Sequence, residues 1–532
     1  MGFNILVYPW RVKSRHVSRS VRYGVLMAGF KVFPEEIVVE NFKSIKSVTL
    51  RLKPGVNLLV GPNLAGKTNI LEAIHFLSRA LSRRELSKIP YMPHAYYSWS
   101  PEDLFYMKDT RNPITFRVRF RVTRKEGDNY YKTYITFGVK FGLRSDRSTV
   151  EPIHLEVDWG TAKWDVQDTA KMYISKEHLK DYLDCMEKAL GEISARKETR
   201  FTRLREELEF VYRSLERVKE EYVDKKDEHV HLFTAKIERS KLELVLSILW
   251  RMLFTSIGLP EIYTYSRGEK VEEFYLVPTI FQMSIAGELR EKSVSIIPIL
   301  LTWQNASAND FVGYVVEIAS FDPIELLGAI SELLENVVLL KHPDISSIGE
   351  PQVFGGDERL DTRARNLPQL LYRLMAERRV GVVEEAVRKV FGDLSIEPRS
   401  VANRVFFVVK ERGVELPPPN IADGVIKVLV ISVAVELKPF ILLVDEVENS
   451  LHIKALEHIF DLLNSLEVPV VLATHSPILV DLANPERTIV VYRGDDGSTK
   501  LEYFENPEEL KSKLSELGVA FSDYIFYEKT RG

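Results

Sequence analysis

VNLLVGPNLAGKTNILEAI, residues 56–74, runs from an apolar stretch through a glycine loop into a second apolar pattern of different period. VNLLV (56–60) is short and apolar, as a buried strand requires. Ile70, Leu71, Ile74, Leu77 and Leu81 recur at helical spacing. Between them Gly61, Gly66, Lys67 and Thr68 fit the pattern G-x-x-x-x-G-K-[ST], in the strand–loop–helix order that pattern needs. Successive backbone N–H groups and a helix N-terminus suit phosphate oxygens. Lys67 is placed to reach the outer phosphates of a nucleoside triphosphate, and the Thr68 hydroxyl to ligate Mg²⁺. Gly61, Pro62, Asn63, Ala65, Gly66, Lys67, Thr68 and Asn69 are therefore the candidate ATP-binding residues. The alternative is a chance match in an ordinary glycine turn, and the flanks weigh against it.

Far downstream, FILLVDEVENSLH (440–452) is an apolar run ending in Asp445–Glu446. A buried strand that delivers a carboxylate at its C-terminal end suits a second ligand for Mg²⁺, Asp445. Glu446, one residue on, suits a general base for an attacking water. PVVLATHSP (469–477) is another apolar strand, ending in Thr474–His475–Ser476, and His475 there can donate to a γ-phosphate or the water. A lone histidine is otherwise more often structural. The last 110 or so residues alternate helix and strand as a parallel α/β core does.

The 532 residues are 45% hydrophobic and 28% charged, enough for two or three domains. Net charge is −4, so any nucleic-acid surface must be a local patch. Cys185 is the only cysteine, which excludes a disulfide framework and a thiolate zinc site. No apolar run of about 18 residues appears, and the N-terminus lacks a secretory core; a cytoplasmic protein without a membrane partner is expected. Gln occurs five times, and low Gln with abundant Glu, Lys and Arg resembles thermophile usage.

Five segments are expected. Residues 1–34 form a basic extension, with Arg11, Lys13, Arg15, Arg19 and Arg22 and no acid between them, either a nucleic-acid arm or an extension preceding a start at Met27. Residues 35–175 hold the phosphate loop and a β lobe: three strands over 35–63, then TFRVRFRV (115–122) and YYKTYITFGVKF (130–141) as an antiparallel hairpin. Arg117, Arg119 and Arg121 share one face of the first, joined by Arg124 and Lys125; they suit phosphate contacts on DNA or a solvated face that keeps an edge strand soluble. Residues 176–256 read as a helical insertion: Leu179, Leu183, Met186, Leu190 and Ile193, then Leu204, Leu208, Val211, Leu215, Val218 and Tyr222, follow coiled-coil spacing. One helix over 176–222 would be about 70 Å long. A turn at 224–229 and a returning helix over 231–256 would complete a hairpin; a plain helical bundle is the alternative. Residues 257–400 are a mixed helical region, including a helix over 323–340, and 401–532 complete the core.

ENFKSIKS…LKPGVNLLVGPN, IADGVIKVLVISVAV (421–435), ILLVDEVENSLH and ATHSP, in that order, resemble an ABC-type ATPase head of the RecF/SMC/OLD group. The resemblance covers roughly 35–80 and 400–505. It implies a split P-loop head, an antiparallel β lobe plus a parallel α/β core, with the middle as an insertion. It implies ATP and Mg²⁺ as cofactors, hydrolysis with Glu446 and His475 as catalytic residues, and Thr68 and Asp445 on the metal. It implies a homodimer that sandwiches ATP, each phosphate loop facing the partner's signature turn, here Asp423–Gly424. DNA is the implied substrate of such heads, in repair, genome maintenance or defence. The chain departs from the pattern at Leu64, Ala422, Val447 and Ile453, so slow hydrolysis is expected. The glutamine-loop residue has no clear position; Gln282 is its best candidate. About 55 residues follow His475, too few for the Toprim nuclease of OLD proteins, and GDDGS (494–498) reads as a hairpin turn. A second reading is an ATP-sensing scaffold that holds a separate effector, such as a nuclease or toxin, without binding DNA itself.

Overall fold

The computed structural model describes residues 30–82, 92–126, 129–158, 162–166, 169–175, 229–236, 262–267, 270–275, 333–355 and 358–529. The described chain begins with β1 (Phe30–Phe42), β2 (Ile45–Arg51) and β3 (Gly55–Val60), the three strands expected over 35–63. β1 and β2 then separate from β3. They join β4 (Ile114–Glu126), β5 (Asn129–Leu143), β6 (Val150–Asp158), β7 (Ala162–Val166), β8 (Thr169–Ser175) and β9 (His229–Lys236) in an eight-stranded sheet ordered β2-β1-β4-β5-β6-β7-β8-β9. Every pairing in it is antiparallel. β10 (Ile262–Arg267) and β11 (Lys270–Tyr275) form a separate hairpin.

β3 instead enters a second sheet with β12 (Val337–Leu340), β17 (Ile441–Asp445), β18 (Pro469–Thr474), β19 (Thr488–Arg493) and β20 (Thr499–Tyr503), ordered β12-β17-β18-β3-β19-β20. All neighbours are parallel except the β19–β20 hairpin, whose turn is GDDGS. This core is assembled from two distant parts of the chain. A third, smaller sheet holds β13 (Gln352–Val353), β14 (Leu394–Val401), β15 (Arg404–Glu411) and β16 (Val414–Leu416).

Helix α1 (Lys67–Leu81) lies between the two large sheets. Its Phe76 ring meets Phe42, Phe116 and Phe141 of the antiparallel sheet at centroid distances of 5.6, 5.9 and 5.3 Å. The same cluster takes in Leu59, Val471 and Ala473 of the parallel sheet. Removing the Phe76 ring would cost about 3–5 kcal/mol. On the other face, α2 (Leu367–Ala376), α3 (Gly381–Phe391), α4 (Asp423–Glu436) and α5 (Ile453–Asn464) enclose a second cluster. α4 is apolar from Val428 to Val435 but for Ser432, and is buried from Val425 to Glu436, Lys427 included, as expected of a helix walled in on every side. No helix among the described residues is long and apolar enough to cross a membrane.

Four expectations change. The strand β1 starts at Phe30, so the basic extension ends before residue 34. HVHLFTAK (229–236) is strand β9 paired with β8, not a turn entering a helix; its Val230 and Thr234 are β-branched and favour the extended chain. VVLL (337–340) is strand β12 beside β17, not the end of a helix; a four-residue apolar run has no period to distinguish the two. β4 is flanked by β1 and β5, so its arginines do not guard a sheet edge. The coiled-coil seam over 176–222 and Gln282 lie outside the described residues.

Candidate nucleotide site

β17, β18 and β3 are adjacent and parallel, with Val60 level with Thr474 and Asp445 level with Ala473. Their C-terminal ends therefore open on one edge of the sheet, where α/β folds bind ligands. The loop after β3, the Asp445–Glu446 pair after β17 and His475 after β18 meet there. β12 joins the same edge, because Leu340 is level with Val444 and the next residue, Lys341, falls beside Asp445.

The loop is held in a shape that only its glycines allow. Gly66 has φ +104°, and a Cβ on it would lie 2.0 Å from the Thr499 hydroxyl oxygen. A Cβ on Gly61 would lie 2.0 Å from the Val491 carbonyl oxygen. Leu64 also takes a left-handed φ of 65°, and its side chain is 87% exposed. Beneath the loop, the Thr499 hydroxyl donates to the Ala65 carbonyl at 3.0 Å and lies 2.8 Å from the Ser44 hydroxyl, which accepts from Asn69 Nδ2 at 2.6 Å. Lys67 donates to the carbonyls of Gly61 and Pro62 at 2.7 and 3.0 Å, across the loop. Burial holds the Lys67 ammonium below the usual lysine range, opposed by the charges of Asp445, Glu446 and Glu448. A group carrying several negative charges would reverse that penalty.

Thr68 Oγ1 donates to Asp445 Oδ2 at 2.9 Å, joining residues 377 positions apart. Burial pushes the Asp445 carboxyl up from the usual range, against the Thr68 hydrogen bond, which lowers it. A divalent cation between a hydroxyl and a carboxylate would offset that burial, and hard oxygen donors suit Mg²⁺. The residues present fit the metal. Glu446 has a left-handed φ of 51°, its N–H donates to the Ala473 carbonyl at 2.9 Å, and its Oε2 accepts from Asn449 at 2.7 Å. A non-glycine residue held at positive φ stores about 1–3 kcal/mol of strain, common where a side chain is aimed at chemistry.

His475 is half-exposed at the start of the loop after β18, and its Nδ1 lies 3.4 Å from Glu448 Oε1. The same oxygen accepts from the Thr474 hydroxyl at 2.6 Å and from the His475 N–H at 3.1 Å. Sequence patterns alone do not single out Glu448, two residues beyond Glu446. Nor do they single out Lys427, which is buried in α4 and donates to the Glu446 carbonyl at 3.2 Å. A signal for it exists: Lys427 is the one charged residue between Asp423 and Glu436 in an otherwise apolar helix. A third such residue is Glu72 on α1, a buried carboxylate paired with Lys43 at 2.5 Å and with Lys341.

Ala422 caps α4, and Asp423 and Gly424 form its first turn. Among the described residues no hydrogen bond or ion pair joins them to the phosphate loop of the same chain. A Cβ on Gly424 would lie 2.7 Å from the Ser450 carbonyl oxygen, so this turn packs directly against the turn after Glu446.

On the eight-stranded sheet, Val118, Phe120 and Val122 face inward, whereas Arg117 and Arg119 are exposed and Arg121 is partly so. Arg119 lies over the Tyr134 ring at 4.2 Å, and Arg121 pairs with Glu35 at 3.1 Å. Arg124 and Lys125 lie further along β4.

A protein-family model described as "AAA domain, putative AbiEii toxin, Type IV TA system" matches residues 139–481. The DNA replication and repair protein RecF of Moorella thermoacetica is 47% identical over 51 residues, 10% of this chain and 14% of that protein. RecF of Porphyromonas gingivalis is 57% identical over 44 residues, 8% of this chain and 12% of that protein. The matched segments thus span about one seventh of these relatives or less. Among solved structures, the Smc head domain with an extended coiled coil from Pyrococcus furiosus, bound to the C-terminal domain of ScpA, covers 92% of this chain and 100% of its own at 12% identity and TM-score 0.37. The Smc head with a coiled coil and joint from Pyrococcus yayanosii covers 92% and 100% at 13% identity and TM-score 0.38.

Proposed function

The chain belongs to this AAA-domain family and carries an ATPase head of the RecF/SMC type, and we propose that it hydrolyses ATP between two copies of that head and acts on DNA. One observation supports the nucleotide reading above all: the 2.9 Å contact of Thr68 with Asp445, which joins the phosphate loop to the acidic strand from opposite ends of the chain. Mg²⁺, when bound, would neutralise charge building on the phosphates. The chain's own groups do the rest. The backbone N–H groups of residues 63–69 and the α1 N-terminus bind the phosphates. Lys67 leaves the Gly61 and Pro62 carbonyls to reach them. Glu446, aimed by its left-handed backbone and held by Asn449, takes a proton from the attacking water. His475 contacts the same reacting groups.

Asp423 and Gly424 make no hydrogen bond or ion pair with the loop of their own chain among the described residues, which favours their serving a partner's nucleotide. The α4 N-terminus would then face the γ-phosphate across a head dimer. Ala422 supplies no hydroxyl to that contact, and Leu64 puts an apolar side chain beside it, so turnover is slow. DNA rests on the short RecF matches and on the exposed Arg117 and Arg119. The test is phosphate release by the purified full chain with and without duplex DNA, with molar mass followed by light scattering. ATP-dependent dimers and DNA-altered turnover support the proposal; turnover by a protein that stays monomeric and ignores DNA removes the dimer and the DNA from it. A second reading draws on the toxin–antitoxin description of the family: an ATP-sensing subunit that holds a separate effector. Stable co-purification of a toxin or nuclease from the native host, without DNA binding, favours it.

A further inference from the structure

We propose that Glu448 is a positioning residue for His475, holding the imidazole with its proton on Nδ1 so that Nε2 is left for the reacting groups. The inference rests on the ATPase reading and deepens it. Glu448 has only 11% of its side chain exposed. Its Oε1 gathers three groups from the end of β18: the Thr474 hydroxyl at 2.6 Å, the His475 N–H at 3.1 Å and His475 Nδ1 at 3.4 Å. The first two are hydrogen bonds that anchor the turn carrying the ring, and the third places a ring nitrogen beside the carboxylate. A carboxylate only accepts hydrogen bonds, so closing that 3.4 Å contact to a hydrogen bond requires the proton on Nδ1. In the neutral ring Nε2 is then an acceptor. When the ring is charged, Nε2 becomes a donor while Nδ1 keeps its proton and the carboxylate balances the charge. Either way, one nitrogen is committed to the protein and the other to chemistry.

A carboxylate this enclosed needs a counter-charge. Glu448 Oε2 is buried without a hydrogen-bond partner. Lys427 is a buried cation in the same region: burial lowers its pKa, and the charge of Glu448 acts against that shift. Lys427 stands on α4 one turn beyond Gly424, and it donates to the Glu446 carbonyl at 3.2 Å. A merely structural Glu448 would account for the Thr474 contact. It would not account for a carboxylate also facing Nδ1 of a half-exposed ring on the edge that gathers Thr68, Asp445 and Glu446.

The experiment uses the full chain labelled with ¹⁵N-histidine, the His475 resonances being those that disappear in His475→Ala. At a pH where the ring is neutral, the wild type should show the Nδ1–H tautomer, and Glu448→Ala should convert it to a mixture rich in Nε2–H. Glu448→Gln keeps an acceptor for Thr474 and preserves the fold, checked by an unchanged thermal midpoint and ATP affinity. It should lower kcat about tenfold with KM within about twofold. In a His475→Ala background the same substitution should lower kcat less than about twofold, because a residue acting through another has nothing left to act on. An unchanged His475 tautomer in Glu448→Ala, or an equal loss of kcat with and without His475, overturns the proposal. A wild type that hydrolyses no ATP removes the ATPase reading, and the tautomer measurement still decides whether Glu448 holds His475.

Discussion

Two regions of this molecule carry clusters of charge, and they are built by different means. On the parallel sheet, Lys67, Thr68, Asp445, Glu446 and His475 come from three strands whose register brings their ends to one edge. There the backbone sets the chemistry: Gly66 at φ +104° and Glu446 at φ +51° hold their loops in shapes that few residues adopt. On the antiparallel sheet, Arg117, Arg119 and Arg121 follow from the period of one strand rather than from converging loops. Arg119 is stacked on Tyr134 and Arg121 is paired with Glu35. A site made by converging loops declares its ligand through geometry, whereas a charged face declares only that it is charged.

The contrast breaks first, and most visibly, at Glu446. Glu446→Gln keeps the residues proposed to hold phosphate and metal and removes the proposed base, so ATP hydrolysis should fall about a hundredfold or more while ATP still binds. Turnover at the wild-type rate would move the base elsewhere. Lys67→Ala should weaken ATP binding itself, about tenfold or more by calorimetry, because a cation is withdrawn from the phosphates. Unchanged affinity would leave the loop as an ordinary glycine turn. Gly424→Ala forces a Cβ to 2.7 Å from the Ser450 carbonyl oxygen. That crowding should cost about 1–3 kcal/mol, read as a lower thermal midpoint. A neutral effect would mean that the signature turn and the turn after Glu446 move apart freely. The smallest effect on the core belongs to Arg117, Arg119 and Arg121 changed together to Glu, with ATP hydrolysis in the absence of DNA altered less than about twofold. DNA affinity should fall, and the slope of its salt dependence should flatten by about one for each phosphate that the protein no longer neutralises. Arg117 should carry the largest share. Unchanged DNA affinity would assign these arginines to the solvated face alone.

The same contrast explains what can be read from the sequence. The loop 61–69, Asp445–Glu446 and His475 are local patterns whose flanking strands are legible as apolar runs, so their meeting follows from parallel strand order. Glu448 is not legible, and Lys427 shows only as a lone charge in an apolar helix, because each matters through contacts made across the fold, 26 positions for Thr474 with Glu448 and 19 for Lys427 with Glu446. Thr499 and Ser44, beneath the loop, are 455 positions apart. The strand β12 reads as helix because four apolar residues carry no periodicity. β9 reads as helix because a coiled-coil pattern on one side invites a helical return. The middle position of β4 is hidden because pairing order depends on the β1–β4 contact and not on β4 itself.

Thr68 and Asp445 are where two distant parts of the chain meet, at 2.9 Å, and where the proposed function puts one ATP·Mg²⁺ site. Titration of ATP into the full chain, with and without Mg²⁺, measures this closure directly in the wild type, Thr68→Ala and Asp445→Asn. Mg²⁺ should tighten ATP binding by the wild type, and both substitutions should abolish that gain to the same extent. Full Mg²⁺ dependence in either variant would contradict a site shared between the two.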